Sequence, residues 1–92
     1  MKTHPIVVVL APTQAEARAT ARELGYAPYG REVLTVSQSH QIRGFDLTDD
    51  DHVVWSRLDG WRAQTLEDVA QNLEVASFRA RRGPRHDVWS RA

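Results

Sequence analysis

Several serine, histidine and acidic residues are of types that perform catalysis or bind metals, but their spacing matches no known site. Ser39, His40 and Asp59 have the residue types of a hydrolytic triad. Adjacent residues on one short turn seldom point at each other, however, and no nucleophile-elbow glycine pattern surrounds them. The histidines lack zinc spacing, and the acidic run at residues 49–51 lacks the glycine and distal glutamate of a calcium loop. We therefore expect no catalytic residue, no metal and no cofactor, and we interpret the acidic run as a solvated loop.

A second group of polar residues follows the predicted strands. Ligands of open parallel sheets bind outside the carboxyl ends of the strands, and the free amides at a helix start attract anions. Thr13 and Ser37 each follow a predicted strand and open a predicted helix, although helix capping alone also explains them. The pattern indicates a candidate site for a phosphate or a nucleotide end. Its residues are Thr13, Gln14, Ser37, Ser39, His40, Arg43 and Arg57.

The C-terminal stretch is basic and contains Trp89. Arginine beside an aromatic ring is typical of contacts to single-stranded nucleic acid, and it also suits an acidic protein partner. The alternative is an ordinary helix end, where cations are favourable. Arginine is also the prevailing basic residue of the whole chain, so its abundance alone is weak evidence for a ligand. The candidate nucleic-acid contacts are Arg79, Arg81, Arg82 and Arg85.

Composition limits the class of protein. The 92 residues are enough for one domain with a modest core. The chain has no cysteine, which excludes disulfides and thiolate metal sites, and its formal net charge of zero argues against nucleic-acid binding by bulk charge. The apolar run near its start is too short to span a bilayer and lacks the layout of a signal peptide. We expect a cytoplasmic protein without membrane contact.

An apolar, β-branched run lies between Pro5 and Pro12. It is the first of the predicted elements that would position the candidate site. Such a run is typical of a strand buried on both faces. Further short strands are predicted at 33–36 and 52–56, and helices are predicted at 13–24 and 65–82. Strands that alternate with helices predict an α/β fold with a small three-stranded parallel sheet and flanking helices.

The predicted domain ends where Gly83-Pro84 stops the second helix. Residues 1–83 are expected to form a single α/β domain. Residues 84–92 are expected to form a polar tail that is dispensable for folding, because it contains only one apolar pair, Val88-Trp89.

Three blocks of the sequence resemble the core of superfamily-two helicases and phage terminase large subunits. Residues 7–13 are similar to the strand and loop that follow the phosphate-binding loop, residues 36–44 to the next strand and its loop, and residues 52–55 to the acidic-motif strand. The resemblance covers about residues 6–60 and implies a Rossmann-like, P-loop-core-like topology with strand order 2-1-3. The chain also looks similar to small proteins encoded by phages of GC-rich actinobacteria.

The chain departs from that resemblance at both catalytic motifs. A phosphate-binding loop needs glycines and a Lys-Ser/Thr pair, whereas the only lysine is Lys2. The acidic strand should end in Asp-Glu, but the residues here are Trp55-Ser56-Arg57. The resemblance therefore implies a truncated nucleotide-hydrolase core without ATP hydrolysis.

We interpret the chain as a non-enzymatic, phage-type accessory protein that binds a host or phage protein or another copy of itself. The alternative is a module derived from the hydrolase core that binds nucleic acid, nucleotide or phosphate. A sheet with three strands would leave strands two and three at its edges, where a second copy can pair. The candidate homodimer interface lies on strand three and the long helix, with Trp55 or Trp61 at its centre.

Overall fold

The computed structural model describes residues 6–26 and 33–89. These residues form a layer of strands with a helix on each face, and 3-10 turns lie at Ser39–Gln41 and Leu58–Gly60. The strands are β1 (Val7–Leu10), β2 (Val33–Val36), β3 (His52–Ser56) and β4 (Arg85–Trp89), and the helices are α1 (Gln14–Glu23) and α2 (Ala63–Ala76).

The sheet is parallel throughout, in the order β2-β1-β3-β4. The predicted α/β class and parallel sheet are confirmed, and β1 lies between β2 and β3 as expected. The expectation of three strands is wrong, because β4 pairs in register with β3 from His52 opposite Arg85 to Ser56 opposite Trp89. The structure therefore supports a parallel sheet covered by helices, and a Rossmann-like topology only loosely.

Strand β4 lies in the segment that the sequence predicted to be a polar tail. Arg85, His86, Asp87 and Val88 are all exposed, so β4 has no buried stripe of the kind that identifies a strand in a sequence. It is held to β3 by the backbone ladder instead of by side-chain burial. As a result β3 is an interior strand, and the edges of the sheet are β2 and β4.

Strand β1 separates two apolar clusters, because successive side chains of a strand point to opposite faces. One face packs against α2 and the other against α1. The cluster on the α2 face consists of Ile6, Val8, Leu10, Val36, Ile42, Leu47, Val53, Val69, Leu73 and Ala76, and the cluster on the α1 face consists of Val9, Ala11, Ala17 and Ala21.

Helix α1 starts and ends close to the predicted residues. The Thr13 hydroxyl caps its first turn by accepting a hydrogen bond from the Glu16 amide at 3.2 Å. Ala17 and Ala21 are fully buried against the sheet, and their small side chains let the helix lie close to β1. The chain leaves the helix at Gly25, whose φ of +90° is in the left-handed region that favours glycine.

Helix α2 ends at Ala76, about 1.7 turns before the predicted end at Arg82. Besides the Ser77 and Phe78 backbone amides, two further donors use the carbonyls of its last turn. The Ser77 hydroxyl donates to the Leu73 carbonyl at 2.8 Å, and the Leu47 amide donates to the Ala76 carbonyl at 2.8 Å. The first bond belongs to the helix cap, and the second joins the helix to a distant part of the chain. Neither depends on the apolar periodicity of the helix, so that periodicity does not predict where the helix ends.

Asp51 joins the amino ends of β1, β3 and β4 through hydrogen bonds. Its carboxylate accepts the Ile6 amide at Oδ1 and the Thr48 amide at Oδ2, both at 2.8 Å. Its backbone carbonyl accepts the Arg85 amide at the start of β4. The side chain is only 1% exposed, so the interpretation of the acidic run as a solvated loop is wrong at this residue.

Candidate functional site

Gln14 belongs to the candidate site for a phosphate or a nucleotide end, and its side chain joins α1 to β2. Its carboxamide nitrogen donates to the Thr35 carbonyl at 3.1 Å and to the Ser37 hydroxyl at 3.4 Å. Its carboxamide oxygen accepts the Thr35 hydroxyl at 3.0 Å. Every polar atom of the Gln14 side chain therefore has a partner within the chain, and the residue positions the loop after β2.

In the loop after β2, two backbone amides are arranged as in an anion-binding site, but they donate to a side chain of the same loop. The Ser37 and Gln38 backbone amides converge on the Gln41 side-chain oxygen at 2.8 and 3.0 Å. Consecutive amides that point at one acceptor are typical of anion-binding nests. Here the acceptor is a neutral carboxamide three to four residues further along. The sequence analysis missed Gln41, and its spacing to Gln38, typical of a capping box, is the sequence feature that could have revealed it.

The start of α1 also carries a charged pair formed within the chain. The side chains of Glu16 and Arg57 form an ion pair, which brings a carboxylate to the first turn of the helix, where negative charge is favourable. Arg57 has a φ of 51°, in the left-handed region, and this backbone conformation directs the chain from β3 into the turn before α2. An incoming phosphate would therefore meet the Glu16 carboxylate beside Arg57, which opposes anion binding at this helix start.

The remaining residues of the predicted site do not join this group as one site. Ser39 is half-buried in the first 3-10 turn, and His40 is exposed. Arg43 lines a hollow of about 280 Å³ beside α2, together with Phe45, Asn72 and Val75. The structure thus brings Thr13, Gln14, Ser37 and Arg57 to the carboxyl end of the sheet and places Arg43 on a different surface.

The two tryptophans of the predicted interface pack against each other within the chain. Their rings meet edge to face with centroids 6.4 Å apart, and both are partly buried against the larger core. The Trp61 indole N–H donates to the Ser56 carbonyl at 3.3 Å, and the Trp55 indole N–H donates to His86 Nδ1 at 3.2 Å. Both polar groups are therefore satisfied without a second chain.

A polar cluster of β3 and β4 lies on the opposite face from the tryptophans. The Arg85 guanidinium donates to His52 Nδ1 at 3.2 Å, which requires that nitrogen to be unprotonated. His52 therefore carries its proton on Nε2 and donates it to Asp87 Oδ2. Arg85 Nε also lies 3.5 Å from Asp87 Oδ2. This cluster fixes the histidine tautomer and orients Arg85 and Asp87 along the edge strand.

Lowering the pH is expected to destabilise the protein through His86. Partial desolvation of the imidazole, and secondarily the repulsion that a protonated His52 exerts, lower the pKa of His86 below its ordinary value of 6.5. Protonation would also remove the Nδ1 acceptor of the Trp55 bond. A lowered folded-state pKa means that this contribution is complete above pH 6.5 and is lost as the pH falls from there through the folded-state pKa. Urea unfolding at several pH values should show the loss, and His86→Gln should reduce it.

The most exposed apolar residues lie together at the end of α2. Phe78 is 86% and Val75 is 74% exposed, and they line a second hollow, of about 600 Å³, with Asp46 and Arg79. We call Asp46, Val75, Phe78 and Arg79 the helix-end surface. The sequence analysis missed Val75 and Phe78. The feature that could have revealed them is that neither continues the i, i+3, i+4 spacing of the buried residues Val69, Leu73 and Ala76.

The arginines predicted to contact nucleic acid divide between two elements. Arg79, Arg81 and Arg82 are exposed in the turn after α2. Arg85 lies in β4 and bonds to His52. Arg79 therefore belongs to the helix-end surface, and Arg81 and Arg82 follow it in the same turn.

The part of the chain that the structure describes has neither a metal-type cluster of side chains nor a helix that could span a membrane. Between residues 6 and 26 and between 33 and 89, no three His, Asp or Glu side chains are grouped so that they could hold a metal ion. In the same part of the chain, neither helix has the length and apolar character needed to cross a membrane.

Comparison with known proteins adds no relative. No family model matches the chain, and no curated protein or solved structure is significantly similar to it. Functional proposals therefore depend on the residues and contacts described above.

Proposed function

We propose that this chain is a non-enzymatic protein-binding module and that the helix-end surface is its binding surface. The observation that carries the proposal is the 86% exposure of Phe78 beside an open hollow. Exposed aromatic residues next to concave, partly apolar surfaces are typical anchors of protein interfaces. The resemblance to small actinobacterial-phage proteins would make the module a phage accessory protein with a host or phage partner.

The charges around Phe78 support a protein partner. Arg79 and Asp46 line the same hollow, so the surface offers one cation and one anion around an apolar centre. A mixed polar rim around an apolar core is the usual anatomy of a protein interface. The polar groups at the carboxyl end of the sheet support a non-enzymatic role, because Gln14, Ser37 and Arg57 all bond to other residues of the chain.

Single-stranded nucleic acid is the second candidate ligand. Arg79, Arg81 and Arg82 are exposed directly after Phe78. An aromatic ring on which a base can stack, next to several arginines, is a common arrangement for such binding. Binding of this kind would weaken steeply as the salt concentration rises, whereas binding at an apolar protein interface would change little.

Replacing Phe78 by serine is expected to abolish capture of the partner. An interface anchor typically contributes at least 2 kcal/mol, which corresponds to about a thirtyfold loss of affinity. The immobilised full chain should be exposed to lysate of the source cells, and bound proteins should be identified by mass spectrometry. Affinity for the purified partner should then be measured for the wild type and for Phe78→Ser.

Val88→Ser is the matched control, because Val88 is a large exposed apolar residue that lies outside the helix-end surface, on β4. The proposal requires a protein that is retained by the wild type and by Val88→Ser but lost with Phe78→Ser. Capture that depends on nucleic acid, disappears after nuclease treatment and falls with salt would instead favour the second candidate. Equal capture by Phe78→Ser and the wild type would contradict both.

A further inference from the structure

The outer edge of β4 has backbone groups available for pairing. The Arg85 amide donates to the Asp51 carbonyl and therefore points toward β3. Backbone direction alternates along a strand, so the amides and carbonyls of His86 and Val88 point away from β3. Among the described residues, no strand lies beyond β4. The edge is therefore able to accept a further strand.

We propose that the occupant of this edge is a second copy of the chain, whose β4 pairs antiparallel to the first across a twofold axis at His86. The two sheets would then form one continuous sheet. This contact lies on a different surface from the helix-end surface, so the inference is independent of the proposed function. It also differs from the dimer expected from the sequence, because β3 is an interior strand whose edge is already paired with β4.

The charges of β4 select this register. With the axis at His86, Arg85 of each copy lies directly opposite Asp87 of the other, in the closely spaced type of antiparallel pair. Opposite charges in such pairs are stabilising. Moving the axis to Asp87 would place the two Asp87 carboxylates opposite each other, which is destabilising. Moving it to Val88 would place Asp87 opposite Trp89, with no charge complement.

The side chains that would form these pairs are accessible. Those of Arg85 and Asp87 are 71% and 55% exposed. The contacts described for Asp87 use Oδ2, so Oδ1 is the oxygen that would accept the second copy's Arg85. The cluster with His52 thus holds both charges along the edge instead of neutralising them completely.

The backbone bonds of this register are few. The His86 residues of the two copies would exchange two backbone hydrogen bonds with each other. Each Val88 amide would donate to the other copy's Pro84 carbonyl. Pro84 has no amide to donate in return. A contact of this size lies at the low end of protein interfaces, and we expect a dissociation constant on the order of 0.1 mM.

Two charge-reversed variants test the register. Arg85→Asp has two acidic residues on the edge and Asp87→Arg has two basic residues, so each variant repels its own copy. Mixed together, the two variants present opposite charges at both pairs. Sedimentation equilibrium from about 10 μM to about 1 mM spans the expected dissociation constant. We expect dimer for the wild type, monomer for each variant alone, and recovery of the dimer in the equimolar mixture and in the Arg85→Asp/Asp87→Arg double variant.

A wild type that stays monomeric at the highest concentration would overturn the proposal, as would a dimer that persists in Arg85→Asp. Far-UV circular dichroism should show that each variant is folded. If the charge variants fail to fold, Val88→Pro provides the second test, because it removes an amide that points away from β3. It should give a folded monomer, and a dimer of unchanged affinity would refute the inference.

Discussion

A chain that ends at Gly83 is expected to lose about 4 kcal/mol or more of its stability, which is a large loss because a domain is typically stable by only about 5–15 kcal/mol. Truncation removes β4 and its ladder to β3 from Arg85 to Trp89, in which each hydrogen bond contributes about 1 kcal/mol. It also removes the His86 acceptor of the Trp55 indole and the buried Pro84. Urea unfolding followed by circular dichroism should give a transition at much lower urea, or no transition.

A pair of proline variants separates the backbone ladder from the side chains of β4. The Asp87 amide points toward β3, so Asp87→Pro should break a ladder bond and destabilise the fold by about 3 kcal/mol relative to Asp87→Ala. The Val88 amide points away, so Val88→Pro should cost much less. If the two prolines have equal effects, or if the truncated chain unfolds at the same urea concentration as the full chain, β4 is not integrated into the sheet.

The contrast between β1 and β4 explains how much of the fold the sequence could predict. β1 is buried on both faces, so its burial appears in the sequence as an unbroken apolar run. Arg85, His86 and Asp87 of β4 are exposed. They are held by the backbone ladder to β3 and by side-chain hydrogen bonds to His52 and Trp55, and neither kind of contact produces an apolar pattern in the sequence. The class of fold and the edge at β2 were therefore predictable, whereas the fourth strand, and with it the edge at β4, was not.

The location of the candidate site could be predicted from the sequence, but the hydrogen-bond partners that its polar groups have within the chain could not. Residue types placed Thr13, Gln14 and Ser37 after predicted strands, and the structure has them at that end of the sheet. Their partners are Glu16, Thr35 and Gln41. Gln14 and Thr35 lie far apart in sequence and meet only because β1 and β2 are adjacent. Without that contact, each polar side chain could be interpreted as free to bind a ligand.

Replacing Asp51 by asparagine is expected to lower the free energy of unfolding by about 2–3 kcal/mol. The Ile6 and Thr48 amides donate to different oxygens of the buried carboxylate. Asparagine has only one side-chain oxygen, so its NH₂ group must face one of the two amide donors. The change is nearly isosteric, and the expected loss therefore comes from hydrogen bonding and charge instead of from a cavity.

Asp50→Asn is the matched control for this change, because Asp50 is the exposed neighbour in the same acidic run. Exposed substitutions of this kind usually change stability by less than about 0.5 kcal/mol. Asp51→Ala leaves both amides without their acceptor and should cost more than Asp51→Asn, about 4 kcal/mol. Urea unfolding of the three variants should therefore rank them Asp50→Asn, Asp51→Asn, Asp51→Ala in order of increasing loss. Equal stability of Asp51→Asn and Asp50→Asn would mean that the carboxylate does not join β1 to β3, and that the amino ends of the strands are held by the backbone ladder alone.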